Sequence, residues 1–146
     1  MSAAEEVKRL RVELITPDGP VFVDDARMVV VPGKAGELGV LPRHIPLIAQ
    51  LKPGETRVRT VDDQWVAFAT GAGYFKVQHD RASVLVESAV PASAIDASSA
   101  RSDLEDAQRR LAEAQAAGDE GPEGARALRD IADAENRLKV AGGGSG

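Results

Sequence analysis

Val31-Pro32-Gly33-Lys34-Ala35-Gly36-Glu37-Leu38-Gly39-Val40-Leu41-Pro42-Arg43-His44-Ile45-Pro46-Leu47 organises the reading of this chain. It holds three glycines, three prolines, one carboxylate and one of only two histidines. Glycine reaches backbone angles closed to other residues, and proline presets φ while removing a donor, so a shaped loop is expected here. The loop separates runs of β character. Upstream, Leu10, Val12 and Leu14 alternate with Arg9, Arg11 and Glu13; Thr16-Pro17-Asp18-Gly19-Pro20 spells a turn; Val29-Val30-Val31 reads as a buried strand. Downstream, Thr56, Val58 and Thr60 share one face, and Asp62-Asp63 turns that strand into Trp65-Val66-Ala67-Phe68. Tyr74-Phe75-Lys76-Val77 then meets Ser83-Val84-Leu85-Val86-Glu87 across Gln78-His79-Asp80-Arg81. Roughly eight to ten short strands, with a turn every eight to twelve residues, predict an antiparallel β-sandwich or flattened barrel.

The grammar changes near Pro91. All five aromatic residues and fifteen of sixteen valines lie before it; fourteen alanines, no threonine and no aromatic follow. The first part suits pleated sheet and the second suits helix. The expected domains are a β-sandwich over 1–91, a two-helix hairpin over 92–141 and a flexible Gly/Ser tail over 142–146. Ser93 or Asp96 is placed to cap a first helix that runs to Ala117 and stops at Gly118. Pro122 falls in the first turn of a second.

These helices offer matched stripes. Ala100, Leu104, Ala107, Leu111 and Ala114 repeat at four-three spacing, as do Ala127, Ile131, Ala134, Leu138 and Ala141. Small residues facing large ones let antiparallel helices approach closely. Four large seam residues, at ~1.5–3 kcal/mol each if fully buried, make a weak seam once ordering costs are subtracted. Glu105–Arg109, Asp106–Arg110, Asp133–Arg137 and Glu135–Lys139 are i,i+4 pairs, each contributing about 0.2–0.5 kcal/mol to its own helix. Such helices suit either an ordinary solvated pair or an element that opens and re-docks.

Composition excludes several function classes. A net charge of −5, with no basic cluster in either part, argues against nucleic acid. Zero cysteines and two histidines argue against a disulfide framework or structural zinc and fit a reducing compartment. There is no run of eighteen apolar residues, and the first six residues lack the basic start of a signal peptide. No P-loop, Rossmann fingerprint, HExxH or G-x-S-x-G is present, and Gly71-Ala72-Gly73 reads as a strand bend. Glu37 and His44 have the chemistry of an acid/base pair, but no nucleophile or second carboxylate accompanies them. No catalytic residue, cofactor or metal is expected.

The segment Gly36-Glu37-Leu38-Gly39-Val40-Leu41-Pro42-x-His44-x-Pro46-Leu47 resembles the signature of the epsilon subunit of rotary F-type ATP synthases, and the β-then-hairpin order fits that family over nearly the whole chain. The resemblance implies a central-stalk subunit, peripheral on the cytoplasmic face of the plasma membrane. It implies as partners the gamma subunit, the polar loops of the c-ring, and the catalytic alpha and beta subunits when the hairpin extends. Glu37, with Arg43 and His44, carries over as the ring contact. The family often has a second acidic residue where Ala35 stands here, beside Lys34. Arg109, Arg110, Arg126, Arg129 and Arg137 carry over as the basic residues of an inhibitory hairpin.

Some members bind ATP at the hairpin through I-D-x-x-R-A-x-x-A-x-x-R-A. Ile95, Asp96 and Ala100 match, but Ser99 and Asp106 stand at the two arginine positions, so no ATP binding is expected. The resulting reading is a non-catalytic subunit that couples gamma rotation to the ring and restrains ATP hydrolysis through its hairpin. Its alternatives are the same coupling role with a static hairpin, and a free-standing β-sandwich binding module.

Overall fold

The computed structural model describes residues 8–118 and 121–142. The chain divides after Pro91 into two compact units. Nine strands build the first: β1 (Leu10–Thr16), β2 (Gly19–Gly33), β3 (Gly36–Val40), β4 (Leu47–Leu51), β5 (Gly54–Thr60), β6 (Trp65–Thr70), β7 (Gly73–Gln78), β8 (Arg81–Val86) and β9 (Ala89–Pro91). They follow the order β1-β8-β7-β4-β2-β5-β6-β9, with β3 beside β2 and a β1–β2 pairing that folds the sheet onto itself. This is a β-sandwich.

The long β2 belongs to both layers. Its first half pairs with β1 (Leu10 opposite Ala26), and its second half pairs with β5 (Val29 opposite Val58) and β3 (Val29 opposite Val40). Between Ala26 and Met28 the register against β5 slips, leaving Arg27 as an extra residue. A bulge bends and twists its strand, which is how one strand serves two layers.

Alternation fills the core. Leu10, Val12 and Leu14 of β1, Val58 of β5, Phe75 and Val77 of β7, and Val84 of β8 are all buried. Phe22 meets the ring of Phe68 edge-on at 5.7 Å. Thr56 and Thr70, the two buried polar residues among those described, bond through their hydroxyls at 2.9 Å, so neither oxygen is left unpaired.

The stretch expected as one shaped loop is half strand. Gly36–Val40 forms β3, antiparallel to β2 around a tight turn at Lys34-Ala35. The glycines that suggested a loop answer different demands. A Cβ on Gly33 would stand 2.5 Å from the Gly36 carbonyl oxygen, a close backbone approach, Gly36 holds φ +143, and a Cβ on Gly39 would meet only the movable Met28 Cε at 2.7 Å. Only residues 41–46 remain a loop. Gly73 explains itself likewise: its Cβ would lie 1.9 Å from the Leu85 carbonyl oxygen.

The second unit opens with a single 3-10 turn (Ala92–Ala94), followed by α1 (Ala97–Ala116) and α2 (Pro122–Ala141). Because Ser93 lies inside that turn, the cap falls to Asp96, whose carboxylate accepts from the Ser98 and Ser99 amides at 3.0 and 3.2 Å. Gly118, at φ +67, ends α1, and Pro122 opens α2. Gly142, read with the flexible tail, is the C-cap of α2 and donates its amide to the Leu138 carbonyl at 3.0 Å. The remainder of that tail, 143–146, lies outside the described residues. α1 and α2 pack against one another with Ala100, Ala107, Ala114, Ala127 and Ala134 buried. Leu104, Leu111, Ile131 and Leu138 are half-buried and flank that stripe.

Candidate contact surfaces

Glu37 sits on β3 beside the hairpin tip, exposed, with its carboxylate 3.6 Å from the Arg57 guanidinium. Arg57 also lies 3.7 Å from Glu55, and Arg57 and Arg59 stack on Trp65 at 5.7 and 5.9 Å from the ring centre. Arg59 in turn holds Asp63 at 2.6 Å. That hydrogen bond is the main cause of an Asp63 carboxyl held below the ordinary carboxylate range. Glu37 thus terminates an ordered ladder of charge along β5.

Arg43 and His44 lie at the other end of β3, in the 41–46 loop. Arg43 adopts φ +67, and its amide donates to Asp80 Oδ1 at 2.6 Å, pinning the loop to the β7–β8 turn. His44 Nδ1 lies 2.7 Å from the Ile45 carbonyl oxygen. Four residues of strand, at about 3.4 Å each, put Glu37 roughly 14 Å from Leu41. No acid/base pair forms between Glu37 and His44. Instead β3, which among the described residues pairs only with β2, presents an edge with Glu37 near one end and the Arg43-His44 loop at the other.

Exposed apolar side chains gather in two places. In the 41–46 loop, Leu41 and Ile45 are 57% and 74% exposed, and Ile48, 73% exposed, shares the outer face of β4 with Gln50. The second is the outer face of the β1-β8-β7-β4 layer. Gln50, Tyr74, Leu85 and Ile15 lie in one row across the strands, and Val23 stands in the next row opposite Glu13. Tyr74 and Leu85, with Ile15, border a groove of about 570 Å³. Sequence periodicity missed this face: on β7 and β8 the outward positions mix Tyr and Leu with Lys and Ser, so no apolar stripe stands out before the strands are aligned.

On the hairpin, Arg110 and Arg137 are less free than exposed i,i+4 partners would be. Arg110 bonds Asp106 at 3.1 Å and also Asp130 of the facing helix at 2.8 Å. The Asp130 bond is the leading cause of a raised Arg110 pKa. Arg137 pairs with Asp133 at 3.3 Å and across the seam with Asp103 at 3.0 Å. Arg109 bonds Asp106 instead of Glu105. Arg126 reaches Glu123 at 3.5 Å, and Arg129 is exposed. Asp106 therefore faces two guanidinium groups of its own helix. Ser99 gives its amide to the Asp96 cap, so the two residues at the family's arginine positions hold local structure.

Comparison with known proteins decides the family. The profile of the beta-sandwich domain of the ATP synthase delta/epsilon chain matches residues 9–92. An ATP synthase epsilon chain from Halalkalibacterium halodurans is 42% identical over 136 residues, 91% of this chain and 97% of the relative. The chain belongs to the ATP synthase epsilon chain family. The Bacillus subtilis epsilon chain is 39% identical over 105 residues, covering 72% of this chain and 79% of the relative. In fold, the chain superposes on a chain from the Euglena gracilis mitochondrial ATP synthase OSCP/F1/c-ring structure with a TM-score of 0.73 at 18% identity, covering 97% of this chain and 86% of the other. The sandwich and the two-helix hairpin are this family's architecture. Among the described residues no helix is long and apolar enough to cross a membrane.

Proposed function

We propose that this chain is a non-catalytic central-stalk subunit that couples rotation of the gamma subunit to the c-ring at the cytoplasmic face of the membrane. The observation that carries the reading is the family match over nearly the full length of both chains, joined to an apolar face and a charged strand edge, both exposed on one sandwich. Coupling needs two: one to hold the shaft and one to hold the ring. The apolar face of Ile15, Tyr74 and Leu85 has the chemistry of a stable protein interface, with aromatic and aliphatic anchors beside a groove. We assign it to gamma. The β3 edge, from Glu37 to Arg43 and His44, offers spaced polar and charged groups suited to the polar ring loops.

The hairpin is the regulatory element. Its seam buries alanines and leaves the large residues half-exposed, so it separates at low cost, and its arginines then become available to acidic segments of the catalytic subunits. With Asp106 in place of arginine, its docking is indifferent to ATP. The test is capture of the purified chain by a matching gamma subunit. Leu85→Asp with Tyr74→Asp should abolish capture while leaving the circular dichroism of the sandwich unchanged; full retention would remove the assignment of this face.

A further inference from the structure

The two helices of the hairpin are copies of one unit. Ala100, Asp103, Asp106, Ala107, Arg110, Leu111 and Ala114 recur as the same residue types 27 positions later, and Leu104 recurs as Ile131. The structure uses both copies in the same way. Arg110 of α1 reaches Asp130 of α2 at 2.8 Å, and Arg137 of α2 reaches Asp103 of α1 at 3.0 Å. Moving each partner by 27 residues turns one bridge into the other. Each arginine is also braced from its own helix, by Asp106 and Asp133 respectively. The contact thus has a pseudo-two-fold axis across it, the hallmark of an isologous interface in which one surface is its own complement.

We infer that the inner face of this hairpin is a docking surface for a second copy of the chain, α1 of one molecule taking α2 of another when the hairpin opens. Charge complementarity fixes the occupant. A facing helix must run antiparallel, offer small residues along the seam, and carry an Asp seven residues before an Arg. The chain itself supplies such a helix twice. The connection is all that distinguishes folding back from exchange. This inference does not depend on the coupling role.

The experiment removes the connection from the full-length chain. Deleting residues 118–123 leaves Ala114 and Ala127 seven apart, so the stripe stays in phase along one continuous helix that cannot fold back on itself. Light scattering should then report a discrete species of twice the chain mass. Arg110→Asp with Arg137→Asp in that background should weaken pairing about tenfold or more, since each change removes a bridge and sets like charges face to face. Reversing all six charges (Asp103, Asp106, Asp130 and Asp133 to Arg; Arg110 and Arg137 to Asp) should restore it. Reversed and unreversed chains, mixed, should form two homodimers and no heterodimer. Arg110→Gln with Arg137→Gln, read in the same way, replaces the reversal if helix content by circular dichroism falls. A monomeric deletion variant, a dimer unmoved by loss of both arginines, or free mixing of the two chains would each overturn the inference.

Discussion

At the scale of single residues, the backbone conformations carry consequences. His79 and Asp80 hold φ +52 and +56, and Gln78 pairs with Arg81, which makes a two-residue hairpin turn of the kind that favours Asn and Gly. His79→Asn should therefore raise stability by a few tenths of a kcal/mol, checked by thermal unfolding. Asp80→Ala should do the reverse, losing about 1–2 kcal/mol, because it removes the acceptor of the exposed Arg43 amide and places alanine at positive φ. Asp63 makes a pH prediction. Its carboxyl titrates lower in the folded state than unfolded, chiefly through the Arg59 hydrogen bond, so its contribution is fully present above about pH 4 and fades as pH falls through the folded value. Asp63→Asn tolerates the φ of +67 and should flatten the acid limb of the stability curve relative to wild type.

These features mark where sequence reading succeeds and stops at this scale. Gly71-Ala72-Gly73 was legible as a bend because paired glycines between two strand-like runs mark a turn or a close backbone approach, and here Gly73 is the latter. The Asp80 anchor was not, since it joins positions 37 residues apart.

At the scale of elements, the strongest sequence signals were periodic. β1 and β5 were legible from two-residue alternation, and α1 and α2 from their four-three stripes with Asp96, Gly118 and Pro122 as punctuation. β3 was hidden because three glycines and three prolines in one stretch outweighed a five-residue strand, although one of those glycines, Gly33, is there to let backbones approach. The hairpin was partly legible. Asp106–Arg110 and Asp133–Arg137 form within their helices, whereas Arg109 turns to Asp106, and Glu135 and Lys139 are not joined by an ion pair. The cross-helix bridges were missed because i,i+4 counting looks along one helix; the 27-residue self-similarity was the signal that would have found them. Individually such bridges are worth roughly 0–1 kcal/mol, so their network modestly strengthens a seam that alanine burial alone holds weakly. Arg110→Ala should lower the thermal midpoint of the second unit with little effect on the first. Raising salt should narrow the difference from wild type, read by circular dichroism at 222 nm, roughly the helical minimum.

At the scale of the whole molecule, the chain divides after Pro91, and the proposed function assigns coupling to the first unit and regulation to the second. A chain ending at Pro91 retains all nine strands, so it should fold and bind gamma alone. The synthase assembled with it should keep its ATP synthesis while hydrolysing ATP faster by a few-fold, the extent reading out the restraint the hairpin imposes. Isothermal titration of the full chain should show no ATP binding at micromolar concentration, because Asp106 is a carboxylate already occupied by Arg109 and Arg110. The coupling role itself is tested most directly by ATP-driven proton pumping in vesicles carrying the synthase reassembled with the chain, without it, and with its Glu37→Ala/His44→Ala variant. Pumping per ATP hydrolysed should be full with the chain, almost completely lost without it and partly lost with the double variant. Equal pumping per ATP in all three would contradict the coupling role.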